Sequence, residues 1–130
     1  MSYGVAAALQ AAIFQRLTDA LPGVAVHDAL PQGQAPVTFV LIGPEVVADQ
    51  SDRTGRGAEH RVTVSVISRE DGFLRAKSVA VQVSDALTGA ALVPARGRVV
   101  GVTFLSAEAR RLRAGEARRV DLRFRIRVED

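Results

Sequence analysis

Cysteine is absent from the 130 residues, which excludes disulfides, thiolate zinc sites, iron–sulfur clusters and a cysteine nucleophile. Histidine is scarce: His27 and His60 are the only two, far apart in the chain, so a metalloenzyme would lack its usual nitrogen ligands. Long hydrophobic runs are missing as well. Val5 to Leu9 is mostly alanine, and Val37 to Ile42 is short and includes Thr38, whereas a bilayer span needs ~20 apolar residues. Met1 to Ala12 carries no basic stretch of the kind that opens a secretion signal. The expectation is a chain that folds and stays in the cytoplasm, or in something assembled there, with no membrane partner.

What is present suits one soluble domain over residues 1–130. With 48% apolar and 24% charged residues, a chain this long buries roughly two thirds of its unfolded surface, enough to stand without staples. The net charge is only +3, but its excess is concentrated. Arg110, Arg111, Arg113, Arg118, Arg119, Arg123, Arg125 and Arg127 face only Glu116 and Asp121 in the same stretch. Such a surplus steers a polyanion or an acidic protein surface. The competing explanation is an ordinary solvated face written by a GC-rich genome, since sixteen of the seventeen basic residues are arginine.

Periodicity supplies the elements. Val5, Leu9, Ile13 and Leu17 recur every fourth position, with Ala6, Ala12 and Ala20 beside them, which predicts a helix over Tyr3 to Ala20 with Ser2 as its N-cap and Pro22-Gly23 as its close. Val24 to His27 reads as a short strand, followed by a loop from Pro31 to Pro36. Val37 to Val47 is strand-like, but Pro44 lacks the ladder N–H, so Gly43-Pro44 must mark a bend, bulge or edge. Asp49 to Ala58 is polar and glycine-bearing, which predicts an exposed, mobile loop. Glu59 to Ser68 alternates, with Val62, Val64 and Val66 on one face and Arg61, Thr63 and Ser65 on the other. A second helix is expected from about Asp71 to Thr88, burying Phe73, Ala76, Ala80, Val83 and Leu87 and closing at Gly89.

The last third reads as a hairpin, Val99 to Leu112 and Ala117 to Val128, joined by Arg113-Ala114-Gly115-Glu116. In its second strand Val120, Leu122, Phe124, Ile126 and Val128 face the core, and Arg119, Asp121, Arg123, Arg125 and Arg127 face away. The order α-β-β-β-α-β-β implies an α+β fold. Two helices can cover only one face of a largely antiparallel sheet of about five strands, giving a two-layer sandwich whose other face meets water or a partner.

Few residues of the chain stand in patterns that chemistry uses. His60 adjoins Glu59, but successive strand residues point to opposite faces, so a hydrolase built on His60 with Glu59 or Asp52 needs a fold that brings them back together. His27-Asp28 meets the same objection. Thr54-Gly55-Arg56-Gly57 lacks the Gly-Lys-Ser/Thr ending of a phosphate loop and leads into a strand rather than a helix. No cofactor or metal is implied. Arg119, Arg123, Arg125 and Arg127 could contact phosphates or an acidic partner, which supports a nucleic-acid-binding module as an alternative. No aromatic shares their face for base stacking, however. Adjacent like charges on one strand face also require a counter-charge, within the subunit or across an interface.

The residues favour an interaction protein, and they resemble a known family. The alanine-rich opening AAALQAAIFQRL, Val26 to Gly33 with Pro36, the run Asp49, Ser51, Asp52, Arg53, Thr54, Gly55, Arg56, Gly57, Glu59 and His60, Ala76-Lys77, and the closing Arg123-Phe124-Arg125 together are similar to the tail-completion, or tail terminator, proteins of long-tailed phages and gene transfer agents. The resemblance spans nearly the whole chain. It implies a structural virion protein and not an enzyme: a subunit of a homo-oligomeric ring, a hexamer, at the tail neck, assembled in the bacterial cytoplasm. The ring would cap the head-proximal end of the tail tube, stop its polymerisation and dock the head connector, with DNA passing through its channel. The Asp49 to His60 residues would lie at subunit or tube contacts.

Overall fold

The computed structural model describes residues 2–33, 35–51, 53, 55–88, 92–112 and 116–130. Asp52, Thr54, the Gly89 cap and the Arg113-Ala114-Gly115 turn lie outside these residues. A 3-10 turn, Ser2–Val5, runs directly into helix α1, Ala6–Ala20. Ser2 is therefore not the N-cap. That position falls on Val5, whose backbone is already helical (φ −83°, ψ −12°) and which makes no side-chain cap, because the tighter turn continues the helix instead. The expected stripe is intact: Val5, Leu9, Ile13 and Leu17 are all buried, joined by Leu21.

Strand β1, Ala25–His27, pairs in parallel with β2, Thr38–Asp49. Strands β3, Gly57–Ser68, β4, Arg98–Arg111, and β5, Arg118–Glu129, complete a five-stranded sheet of order β1-β2-β3-β5-β4, antiparallel after its first pair. The predicted interruption in β2 is a bulge between Ile42 and Glu45. Pro44 is tolerated there because β1 pairs only with Phe39 to Leu41, so no ladder bond is lost on that side. Helix α2 spans Leu74–Thr88 and buries Ala76, Val79, Ala80, Val83, Ala86 and Leu87. It begins three residues later than the sequence implies. Gly72 adopts φ 73°, a left-handed conformation that ends any helix there, and Phe73 is left half-buried ahead of the first turn.

Both helices pack on one face of the sheet, α1 against β1 and α2 against β3, β5 and β4. The core between the layers takes in the α1 and α2 stripes, Val62, Val64 and Val66, and the alternate residues Val120 to Val128 of β5. Fully burying each such side chain contributes about 1.5–3 kcal/mol. The opposite face is not wholly solvated. Phe39, Leu41 and Ile67 form a second cluster on it, with Ala25, Ala35, Leu112 and Ala117 packed alongside. Gly97 fixes the link between the layers. At φ 74°, any Cβ there would stand 2.7 Å from Val5 Cγ2 and 2.8 Å from the Glu129 carbonyl oxygen.

Candidate assembly interface

The loop between β2 and β3 is shorter and better braced than its composition implies. Asp49 ends β2, and Gly57 and Ala58, both buried, already belong to β3. The Gln50 N–H donates to the Gly57 carbonyl at 2.8 Å, and the C-terminal Asp130 N–H donates to the Arg56 carbonyl at 2.9 Å. The Asp49 carboxylate accepts from the Ser51 N–H and hydroxyl at 3.3 and 2.7 Å, the local turn that aspartate favours. From β5, Arg127 donates to the side-chain oxygen of Gln50. Gly57 permits this closeness, since a Cβ would sit 3.0 Å from the Gln50 carbonyl oxygen and 3.3 Å from the Arg127 guanidinium. The base of the loop is thus tied to β5 and the C-terminus, while Arg53 and Arg56 extend into solvent.

Glu59 and His60 part company, as strand alternation requires. Glu59 lies on the open face and holds two arginines, Arg61 at 3.1 Å and Arg125 at 3.6 Å. His60 points into the helix-covered core and is completely buried, its Nδ1 3.4 Å from a Glu45 carboxylate oxygen. The Glu59–His60 pairing that a hydrolase would need is therefore not formed.

Two arginines of the row have a counter-charge within the chain, and a third has a neutral hydrogen-bond partner. Arg119 donates to Asp121 at 2.7 Å and to the Ser65 hydroxyl at 3.2 Å. Arg125 is held by Glu59, and Arg127 by Gln50. Arg123 is exposed, and its side chain has no hydrogen-bond or ion-pair partner among the described residues. Asp121 centres a buried polar group, only 5% exposed, that accepts from Ser65 Oγ at 2.5 Å and lies 3.6 Å from Arg110. Burial pushes its carboxyl upward, but the hydrogen bonds from Ser65 and Arg119 and the charges of Arg119 and Arg110 outweigh that and hold it below the ordinary aspartate range.

Two bulges shape the rest of the open face. Gly43-Pro44 in β2 and Leu105 in β4 flank a cleft of about 430 Å³ lined by Val46, Arg61, Thr63, Leu105, Ser106 and Arg123, among others. Nothing in the sequence alone marks Arg61, Val46 or Leu105 as site residues. The alternation of β3 places Arg61 on the polar face, but only the β3–β5 register sets it opposite Arg125 and puts Thr63 opposite Arg123. The resulting surface is basic and partly apolar.

Comparisons with known proteins give the family of the chain. A search of curated proteins finds no match. A chain in a solved structure described as the virion of a native gene transfer agent particle is 52% identical, with a TM-score of 0.89, covering 99% of this chain and 100% of that one. The family model for tail completion protein gp17 matches residues 5–129, and the chain belongs to that family of tail completion proteins.

Proposed function

We propose that this protein, read as a single domain over residues 1–130, is a non-enzymatic virion subunit that forms a ring, a hexamer, at the head-proximal end of a tail. There it caps the tube, stops its polymerisation and meets the head connector at the tail neck after assembly in the bacterial cytoplasm. The supporting observation is its full-length likeness to a chain of a gene transfer agent virion at 52% identity. Capping works by surface complementarity. One face of the ring imitates a further layer of tube subunits and the other does not, so growth ends without any bond being made or broken. Of the Asp49 to His60 run, the part from Asp49 to Gly57 suits a contact with the tube or a neighbouring copy, with Glu59 on the open face beside it and His60 buried beneath. The base of this loop is prearranged by Gln50, Arg127 and Asp130, so ordering it on a partner costs less entropy than ordering a free loop would. Arg123, whose side chain has no partner among the described residues, lies beside Arg61 in the cleft and suits an acidic partner surface better than DNA, because the other three row arginines are engaged within the chain.

The test is cryo-electron microscopy of particles made with and without this chain, together with an Arg53→Glu/Arg56→Glu variant. The expected results are a ring of this subunit at the tail neck, tails of uncontrolled length or without heads in its absence, and the same defect in the variant. Density for the chain elsewhere in the particle, or normal headed tails without it, would refute the reading.

A further inference from the structure

Two partly apolar patches lie on opposite flanks of the subunit, each at the margin of its core. The first is a groove of about 380 Å³ between α2 and β4, lined by Lys77, Ala80, Val81, Phe104, Ala107 and Leu122, among others. It exists because the strand order puts β4 at the sheet edge, where α2 covers it only in part. Phe104 is left 43% exposed and Val81 59% exposed. The second is the outer surface of α1. There Ala7, Ala11 and Phe14, preceded by Tyr3, recur at helical spacing on the side away from the buried stripe, beside Asp28 at the end of β1. Phe14 and Tyr3 are 38% and 59% exposed.

The patches complement each other. The groove is floored by alanines (Ala80, Ala107 and Ala109) and its basic end carries Lys77, with Arg111 continuing the same side of β4. The α1 patch offers a projecting aromatic ring and an acid, Asp28. Because α1 lies over β1 and the groove lies at β4, they flank opposite sheet edges, which is what a head-to-tail contact that closes into a ring needs. The fifteen residues of α1 extend roughly 22 Å at ~1.5 Å per residue, so with a width of ~15 Å the two patches supply on the order of 330 Å² of the ~800 Å² per partner of a stable interface.

We infer that the Phe14 face of α1 in one copy seats in the α2/β4 groove of the next, with Asp28 against Lys77, and that this is the subunit contact of the ring. The inference rests on the ring reading and names its surfaces. Lys77 is the only lysine in the chain, so carbodiimide coupling of lysine to carboxylate probes the groove with almost no competing amine. Particles assembled from a mixture of unlabelled and 15N-labelled subunits are coupled, digested and analysed by mass spectrometry. The expected product is a Lys77–Asp28 peptide joining light and heavy copies.

Phe14→Glu and Ala107→Arg, both at exposed positions, should each reduce that product and the ring population about tenfold with an unchanged thermal midpoint. A ring that is present but whose Lys77 couples only to tube protein, to connector or to other acids would overturn this inference and leave the ring reading standing. So would rings that survive both variants. Particles with no ring of this subunit would overturn both.

Discussion

Glu59→Gln isolates the electrostatics of the open face. Arg61 and Arg125 stand directly opposite each other in the β3–β5 register, where like charges destabilise a sheet. Held ~6 Å apart, two guanidinium charges repel by about 0.7 kcal/mol in water-like surroundings and about 3 kcal/mol at an effective dielectric constant of about 20. Arg61 is 56% and Arg125 44% exposed, so the value sits near the lower bound, about 1 kcal/mol. Glu59 offsets it through contacts at 3.1 and 3.6 Å, each worth about 0.2–1 kcal/mol at such exposure. Neutralising Glu59 therefore costs about 1.5 kcal/mol at low salt. At 1 M salt, where the screening length is about 3 Å, the cost falls below about 0.5 kcal/mol. Urea unfolding followed by circular dichroism at both ionic strengths measures it. Restoring stability at low salt with Arg61→Gln in the Glu59→Gln background confirms the source. A penalty equal at both salts would show that Glu59 acts through packing, and no penalty at either would refute the like-charge argument outright.

Two further substitutions probe the buried side of the fold. Asp121→Asn removes the charge that Arg119, Arg110 and Ser65 serve and should destabilise by about 2–3 kcal/mol at neutral pH. Because the folded carboxyl lies below its ordinary value, its contribution is present above the unfolded pKa of about 3.9 and is lost as pH falls through the folded one. The gap to the parent chain should therefore be flat from pH 5 to 8 and close below about pH 4; a gap that widens in acid would contradict the sign. Phe124→Ala deletes a fully buried ring that meets Phe104 edge-on at 5.9 Å and should cost about 3–5 kcal/mol in chemical denaturation. A cost under about 1 kcal/mol would mean that α2 collapses into the space.

The elements most legible in the sequence are those whose partners are dictated by period alone. The four-residue spacing of Val5, Leu9, Ile13 and Leu17 and the alternation from Val120 to Val128 each mark one buried face, and both are buried as the pattern demands. Registers are not written in a single strand. Nothing in the β3 sequence says that Arg61 will meet Arg125, or that Ser65 will be sealed against Asp121, because those contacts depend on which strand lies alongside. The brace on the Asp49 to Gly57 loop was hidden for the same reason: Arg127 and Asp130 are close to it only after the last strand has crossed the sheet. The start of α2 was obscured by a backbone fact, the left-handed Gly72, which the apolar spacing of Phe73 and Ala76 overrides on paper but not in space.

The hairpin carries a division of labour that bears on how copies meet. Its second strand, β5, lies inside the sheet between β3 and β4 and alternates without a break. Its first strand, β4, takes the edge and is interrupted twice, between Val99 and Gly101 and between Phe104 and Ser106. An unbroken edge fourteen residues long would template pairing with any other strand, and bulges are a common device for twisting such an edge away from partners. Their presence disfavours a backbone ladder between copies, while the apolar row of Phe104, Ala107 and Ala109 beside α2 stays open. Contacts on this flank are then selected by side-chain shape and charge, which can fix the angle between neighbours. A fixed angle lets head-to-tail repetition close into a ring of set number, whereas unrestricted strand addition would extend indefinitely.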